Sequence, residues 1–307
     1  MKPASNEVYQ QRINAVIDHI NKHLDQPHSL EDLATISQFS KFHFHRVFKN
    51  FVGETVLTFV KRLRLERAIS LMRRGDGRTL THIGLDCGFD SSSDFSRSFR
   101  QWFGFSPREF SEERLRENSK ICQELAANIY YPLRNQDTSS NPDEFDVQLD
   151  QHSASNLAYV RVFGAFSPER VLNGLNQLLD WGRSKGVYSS SRLLSMSYDD
   201  MDTTPVDKYR LDWCLRIADD VAGEGAVATR RFDGGLYASV LCEGDIKLLD
   251  RAWQWLYRNW LPDSGYEPDD RPAMEWYITD PTESGWENFS MRCCIPIRSL
   301  QLVRQRI

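Results

Sequence analysis

A fourteen-residue pattern in this chain occurs twice. Ser40 to Gly53, SKFHFHRVFKNFVG, returns as Ser91 to Gly104, SSSDFSRSFRQWFG, with Ser40 over Ser91, Phe44 over Phe95, Arg46 over Arg97, Phe48 over Phe99, Lys49 over Arg100 and Gly53 over Gly104, all at an offset of 51. One constant offset marks one structural unit used twice. Whatever the first copy folds into, the second must fold into as well.

Each copy reads as a short amphipathic helix. Phe44, Val47, Phe48 and Phe51 fall at the i, i+3, i+4, i+7 spacing that lines one helical face, and Phe95, Phe99, Trp102 and Phe103 do the same. The opposite face of the first copy carries Phe42, Arg46 and Lys49 with His45 on its flank. That of the second carries Ser93, Arg97 and Arg100, with Ser92 at its start and Asp94 on its flank. Ser40 and Ser91 stand where an N-cap hydroxyl satisfies free amides. A shorter helix precedes each copy, Leu30 to Ile36 and Leu80 to Leu85; Ser29 and Asp32 have capping-box spacing, and Gly88 supplies a turn.

A short helix, a tight turn and a second helix with an outward arginine make a helix-turn-helix, whose second helix enters the major groove of DNA. On that reading Arg46 and Arg97 are placed for bidentate contact with guanine O6 and N7, and Phe42 either touches a thymine methyl or packs on a neighbouring helix. Lys49, Arg100, Lys61 and Arg62 are assigned to phosphates, which give affinity and salt dependence without sequence choice. The pattern from Glu54 to Arg74 predicts a rigid spacer helix between the units. His43 and His45 lie about 200° apart on a helix and do not share an ion, so no metal is expected.

These residues match a known family. Residues 7–117, through Ile83-Gly84, Gly88-Phe89, Phe95-Ser96-Arg97, Phe99, Phe103-Gly104 and Pro107, resemble the DNA-binding domain of the AraC/XylS transcription factors. The resemblance implies seven helices, with two recognition helices held one DNA turn apart on an asymmetric site bound by a monomer. Gly84 departs from the family, which has Ala there, at an expected cost of about 1 kcal/mol of helix propensity.

Length bounds the chain at about two domains, and charge divides it the same way. Residues 1–118 hold 18 Lys/Arg against 15 Asp/Glu, and residues 119–307 hold 20 against 28. The acidic half is not the DNA-binding half. The six cysteines show no CxxC spacing, and neither a signal peptide nor an apolar run of membrane length is present, so a reduced, soluble, cytoplasmic protein is expected. Cys293 and Cys294 are vicinal, the pattern of a redox or thiol-reactive sensor, but on a strand they point to opposite faces, and a free cysteine is more often a small core residue. The polar stretch within 118–144, with Asn141-Pro142, reads as a linker.

The second half also repeats, with Tyr159 to Leu215 laid on Tyr237 to Cys293 at a shift of 78. Each half gives an apolar strand, a helix and two more strands; Leu211, Trp213, Leu215 and Ile217 alternate in one, Phe289, Met291, Cys293 and Ile295 in the other. The expected fold is therefore multidomain: an all-α double helix-turn-helix domain followed by an α+β domain of two β-α-β-β repeats, with helices on one sheet face and the other face open. That order, with RPAMEWY at 271–277 and NFSMRCCIPI at 288–297, resembles the GyrI-like (SbmC-like) effector-binding domain over residues 145–297.

On a strand Met274, Trp276 and Ile278 share one side, expected to face the helices, which leaves Glu275 and Tyr277 on the open face. The resemblance implies that the acidic position lies in a groove between the halves and meets cationic or polar ligands. Charge pairing and cation–π contact would favour hydrophobic cations there, with Tyr159, Tyr198, Trp213 and Tyr237 as further candidate lining aromatics. The function expected is a regulator that binds double-stranded promoter DNA and a small-molecule effector, with no cofactor and no membrane partner. One rival is a GyrI-like hydrolase using Glu275 as base with Tyr277; another is an acidic docking module for a partner such as RNA polymerase or a topoisomerase.

Overall fold

The computed structural model describes residues 5–75, 77–118, 141, 143–188, 193–200, 203–284 and 288–299. Most of the expected linker, and Cys122 with it, lies outside the described residues. The chain divides into two compact units: Met1–Ala127 with Phe163–Phe166 and Asp199–Tyr209, and the remainder. Among the described residues no helix is long and apolar enough to cross a membrane.

The first unit is helical: α1 Ser5–Lys22, α2 Leu30–Ile36, α3 Lys41–Val52, α4 Val56–Arg74, α5 Leu80–Asp86, α6 Ser92–Phe103 and α7 Glu112–Asn118. The repeated residues fix the ends of the repeated helices. Ser40 Oγ accepts the amide of His43 and Ser91 Oγ that of Asp94, while Gly53 and Gly104 close the same helices in the left-handed region at φ 79° and 83°, where a side chain is strained. Thr55 and Thr79 cap α4 and α5 in the same way.

Two separate cores fill this unit. One runs from Ile13 to Leu63 around Phe44, Phe48 and Phe59. The other runs from Leu65 to Leu115 around Phe95, Phe99, Phe103 and Phe105. Gly84 belongs to the second. A Cβ there would lie 2.9 Å from Cβ and Cγ of Phe95, so the glycine that weakens α5 is what lets α6 approach it.

The second unit is built on a sheet. Its elements are β1 Val147–His152, β2 Ser155–Phe163, α8 Pro168–Ser184, β3 Leu193–Ser197, β4 Arg210–Ile217, β5 Ala228–Phe232, β6 Gly235–Gly244, α9 Ile246–Trp255, β7 Tyr266–Pro268, β8 Ala273–Tyr277, α10 Pro281–Ser284 and β9 Phe289–Ser299. The strand order is β1-β6-β9-β8-β3-β4-β2-β5, with β7 paired to β9. The two β-α-β-β repeats thus meet at β3 and β8. Each is extended by a strand from outside it: β1 pairs with β6 and β5 with β2.

Strand register corrects the internal offset. Ser195 pairs with Trp213 in the first repeat and Glu275 with Cys293 in the second, a register that one common offset of 80 reproduces (275 − 195 and 293 − 213) and one of 78 does not. Ser195 also pairs with Glu275 across the join. With that common offset each is the other's repeat equivalent.

Candidate nucleic-acid interface and effector site

On α3 the buried side is Phe44, Val47, Phe48 and Val52, and on α6 it is Phe95, Ser98, Phe99 and Phe103. Burying these faces leaves Phe42, His45, Arg46 and Lys49 exposed on the first helix and Ser93, Arg97 and Arg100 on the second, with Ser92 and Asp94 half-buried. Phe42 is 86% exposed, which removes the alternative that it packs on a neighbouring helix. Such an aromatic at a helix start, beside Arg46 and Lys49, is available to a base methyl in a groove. His43 instead lies edge-on to Tyr9 and Phe39, at ring distances of 5.8 and 5.2 Å.

Arg62 does not meet phosphate. Its side chain is 1% exposed, with Nε and Nη2 donating to Glu54 Oε1 at 3.1 and 2.8 Å and Nη1 to Glu66 Oε1 at 3.0 Å. An arginine on a spacer looks solvated from its residue type alone. The carboxylate four positions on, Glu66, and the one eight before, Glu54, were the signal that it is held inside.

In the second unit the helix-covered face of the sheet is identified by α8. A Cβ on Gly174 would meet Val162, Trp213 and Val160, and one on Gly182 would meet Leu215; the Trp213 indole donates to the Val171 carbonyl at 3.0 Å. Glu275 belongs to this face. Ser195 donates to its Oε2 at 2.8 Å and Tyr277 to the same oxygen at 3.3 Å, and Trp253 of α9 adds a further hydrogen bond. Tyr277 packs on Trp213 with ring centroids 5.5 Å apart, and Trp253 stacks on Tyr257 at 6.3 Å. Burial pushes the Glu275 carboxyl above the usual carboxylate range, against the three donors that pull it down.

Residues 145–298 match the GyrI-like small molecule binding domain. The chain belongs to that family. Residues 33–113 match a helix-turn-helix domain, which is of AraC type. The HTH-type transcriptional regulator YbfP of Bacillus subtilis is 24% identical over 229 residues, 64% of this chain and 74% of that protein. The transcriptional activator RhaS of Escherichia fergusonii is 38% identical over 103 residues, 34% of this chain and 37% of RhaS. This chain therefore spans little more than a third of that relative. The structure of an EcmrR–DNA complex covers 92% of this chain at 13% identity, with a TM-score of 0.42, too slight a likeness to carry an argument here.

Within the GyrI-like domain two expectations are corrected. Glu275 and Tyr277 lie on the helix-covered face, and Met274 and Trp276 lie opposite, buried with Leu194, Met196, Cys214 and Cys294. Ile278, expected beneath the helices, is 55% exposed. Both faces of β8 are enclosed, so apolarity cannot say which of them the helices cover. Accordingly Tyr159, Tyr198 and Tyr237 do not join Glu275. Tyr159 and Tyr198 stack with Arg230 at 4.5 and 5.0 Å, beside Asp212, which Arg161 grips through Nε at 2.8 Å and Nη2 at 2.7 Å. Tyr237 donates to the Pro272 carbonyl under Arg271.

The residues sequence reasoning missed are Ser195 and Trp253; Trp213, one of the aromatics it offered, is the one that packs beside Tyr277. A repeat offset of 80 would have pointed to Ser195; nothing local marks Trp253. Cys293 meets Cys242 with sulfurs 3.4 Å apart, while Cys294 lies on the other face. Burial raises both vicinal thiols, which removes the thiolate that a reactive sensor needs.

Proposed function

We propose that this chain is a transcription regulator in which α3 and α6 read adjacent stretches of promoter DNA and the GyrI-like domain receives a hydrophobic cation at Glu275. The observation that carries the effector half is the company Glu275 keeps. Its carboxyl is held by Ser195, Tyr277 and Trp253, all neutral, among the rings of Trp213 and Tyr277. Among the described residues no cation pairs with it. A half-buried carboxylate held by neutral donors without a counter-ion is costly, and a cationic ligand supplies both the charge and a partner for the rings. The work of such a regulator places it with the DNA, in the cytoplasm. An effector alters DNA binding only through unequal affinity for two states of the protein.

The sign of the pH dependence follows from the raised carboxyl. Without ligand the fold favours protonated Glu275, so its stabilising share is full at low pH and is lost as pH rises through the folded value. A cation prefers the carboxylate, so its affinity should rise over that same interval. Tetraphenylphosphonium, titrated by tryptophan fluorescence, is the probe. Glu275→Gln should bind it roughly tenfold or more weakly, about 1.4 kcal/mol, and lose the pH dependence. Equal affinity in the mutant would discard the charge argument. The 3.3 Å contact between Tyr277 and Glu275 also suits a hydrolase; turnover of an electrophilic ester, abolished by Glu275→Gln, would establish that reading instead.

A further inference from the structure

The two cores of the helical unit are divided at one residue. The first ends at Leu63 and the second begins at Leu65, both on α4, and Arg64 stands between them. Its guanidinium reaches out of the spacer helix to both halves. Nε donates to the Leu24 carbonyl at 3.0 Å and Nη2 to the Gln26 carbonyl at 2.7 Å, which fastens the turn between α1 and α2, part of the first half. Close to the same guanidinium lies Gly88, the turn of the second half. It sits at φ +88°, and a Cβ there would be 2.8 Å from the Asp25 carbonyl and 2.9 Å from Cζ and Nε of Arg64. The charges of Asp90, Asp25 and Asp94 act on the same guanidinium. Two turns, one from each helix-turn-helix unit, thus converge on one side chain of the spacer helix, and glycine is the residue that lets the second come close.

We infer that Arg64 is the positioning residue that fixes the separation and relative rotation of the two recognition helices, and so sets the spacing of half-sites the protein accepts. This rests on the two-site reading above. A helix of 19 residues is about 28 Å long, and α4 lends buried side chains to each core separately. The planar fork of Arg64, donating to two carbonyls of the α1–α2 turn and close to Gly88 of the second half, ties the two halves to each other beside that shared helix. Lys could serve one carbonyl but not both in a fixed plane.

The test uses the full chain and a duplex selected from a random pool by the wild-type protein, together with versions that carry one base pair more or fewer between the two protected halves. One base pair alters the separation by about 3.4 Å and the rotation by about 34°. The wild-type protein should lose roughly tenfold or more in affinity on either altered duplex. Arg64→Ala should bind the original duplex more weakly while the spacing penalty shrinks at least about threefold, Arg64→Lys should resemble it, and Gly88→Ala, acting from the second half, should flatten or shift the spacing preference. An unchanged penalty in Arg64→Ala and Gly88→Ala overturns the inference. So does equal loss on all three duplexes in both, which is the mark of a merely structural role. If the wild-type footprint covers one segment only, the two-site reading itself fails, and the joint with it.

Discussion

Arg62→Ala is expected to destabilise the helical unit by about 3–5 kcal/mol, the range found when one member of a buried ion pair is removed. The size follows from what is left behind. Glu54 and Glu66, whose side chains are 9% and 6% exposed, would keep their carboxylates under the fold without the guanidinium that bonds both of them. An exposed pair of the same type contributes only about 0–1 kcal/mol. Urea denaturation of the full chain, followed by circular dichroism, separates the cases. A loss below about 1 kcal/mol would mean that Arg62 is not enclosed.

Phe99→Ala should cost a similar amount, about 3–5 kcal/mol, for a different reason: a cavity in a packed aromatic cluster. Phe99 is fully buried against Phe95, Phe103 and Phe105, at ring distances of 5.7, 4.7 and 5.6 Å. Because the cores share no residue, the damage should be local. Hydrogen exchange should show α5 and α6 losing protection while α2 and α3 keep theirs, and Phe48→Ala should give the mirror result. Uniform loss across both halves would show that the helical unit opens as one piece.

The repeat made most of the helical unit legible. Serine caps, glycine ends and a 3.6-residue apolar period each act locally, so Ser40, Gly53 and their partners at 91 and 104 could be placed without knowing the fold. Arg64 could not. It looks like a spacer-surface charge until the tertiary structure brings the Leu24 and Gln26 carbonyls to it, whereas Arg62 had a local hint in Glu66 one turn along the same helix.

The sheet was legible as strands but not as faces. Alternation on β8 separates Met274 and Trp276 from Glu275 and Tyr277, yet it cannot say which set the helices cover when both sides are enclosed. Tyr159, Tyr198 and Tyr237 were credible lining residues by type. They stand on the far face because β2 presents Tyr159, β6 presents Tyr237 and the end of β3 is followed by Tyr198, and their rings are spent on Arg161, Arg230 and Arg271.

The account as a whole depends on α3 and α6 each reading its own stretch of DNA. The direct measurement is a footprint and affinity of the full chain on its selected duplex, for the wild type, Arg46→Ala and Arg97→Ala. Each arginine stands exposed on its helix, and loss of a bidentate base contact is worth about 1–3 kcal/mol. Each variant should therefore bind roughly 5- to 150-fold more weakly, with protection lost over a different half of the site. Unchanged affinity in both variants, or loss of the same half in both, would contradict the account.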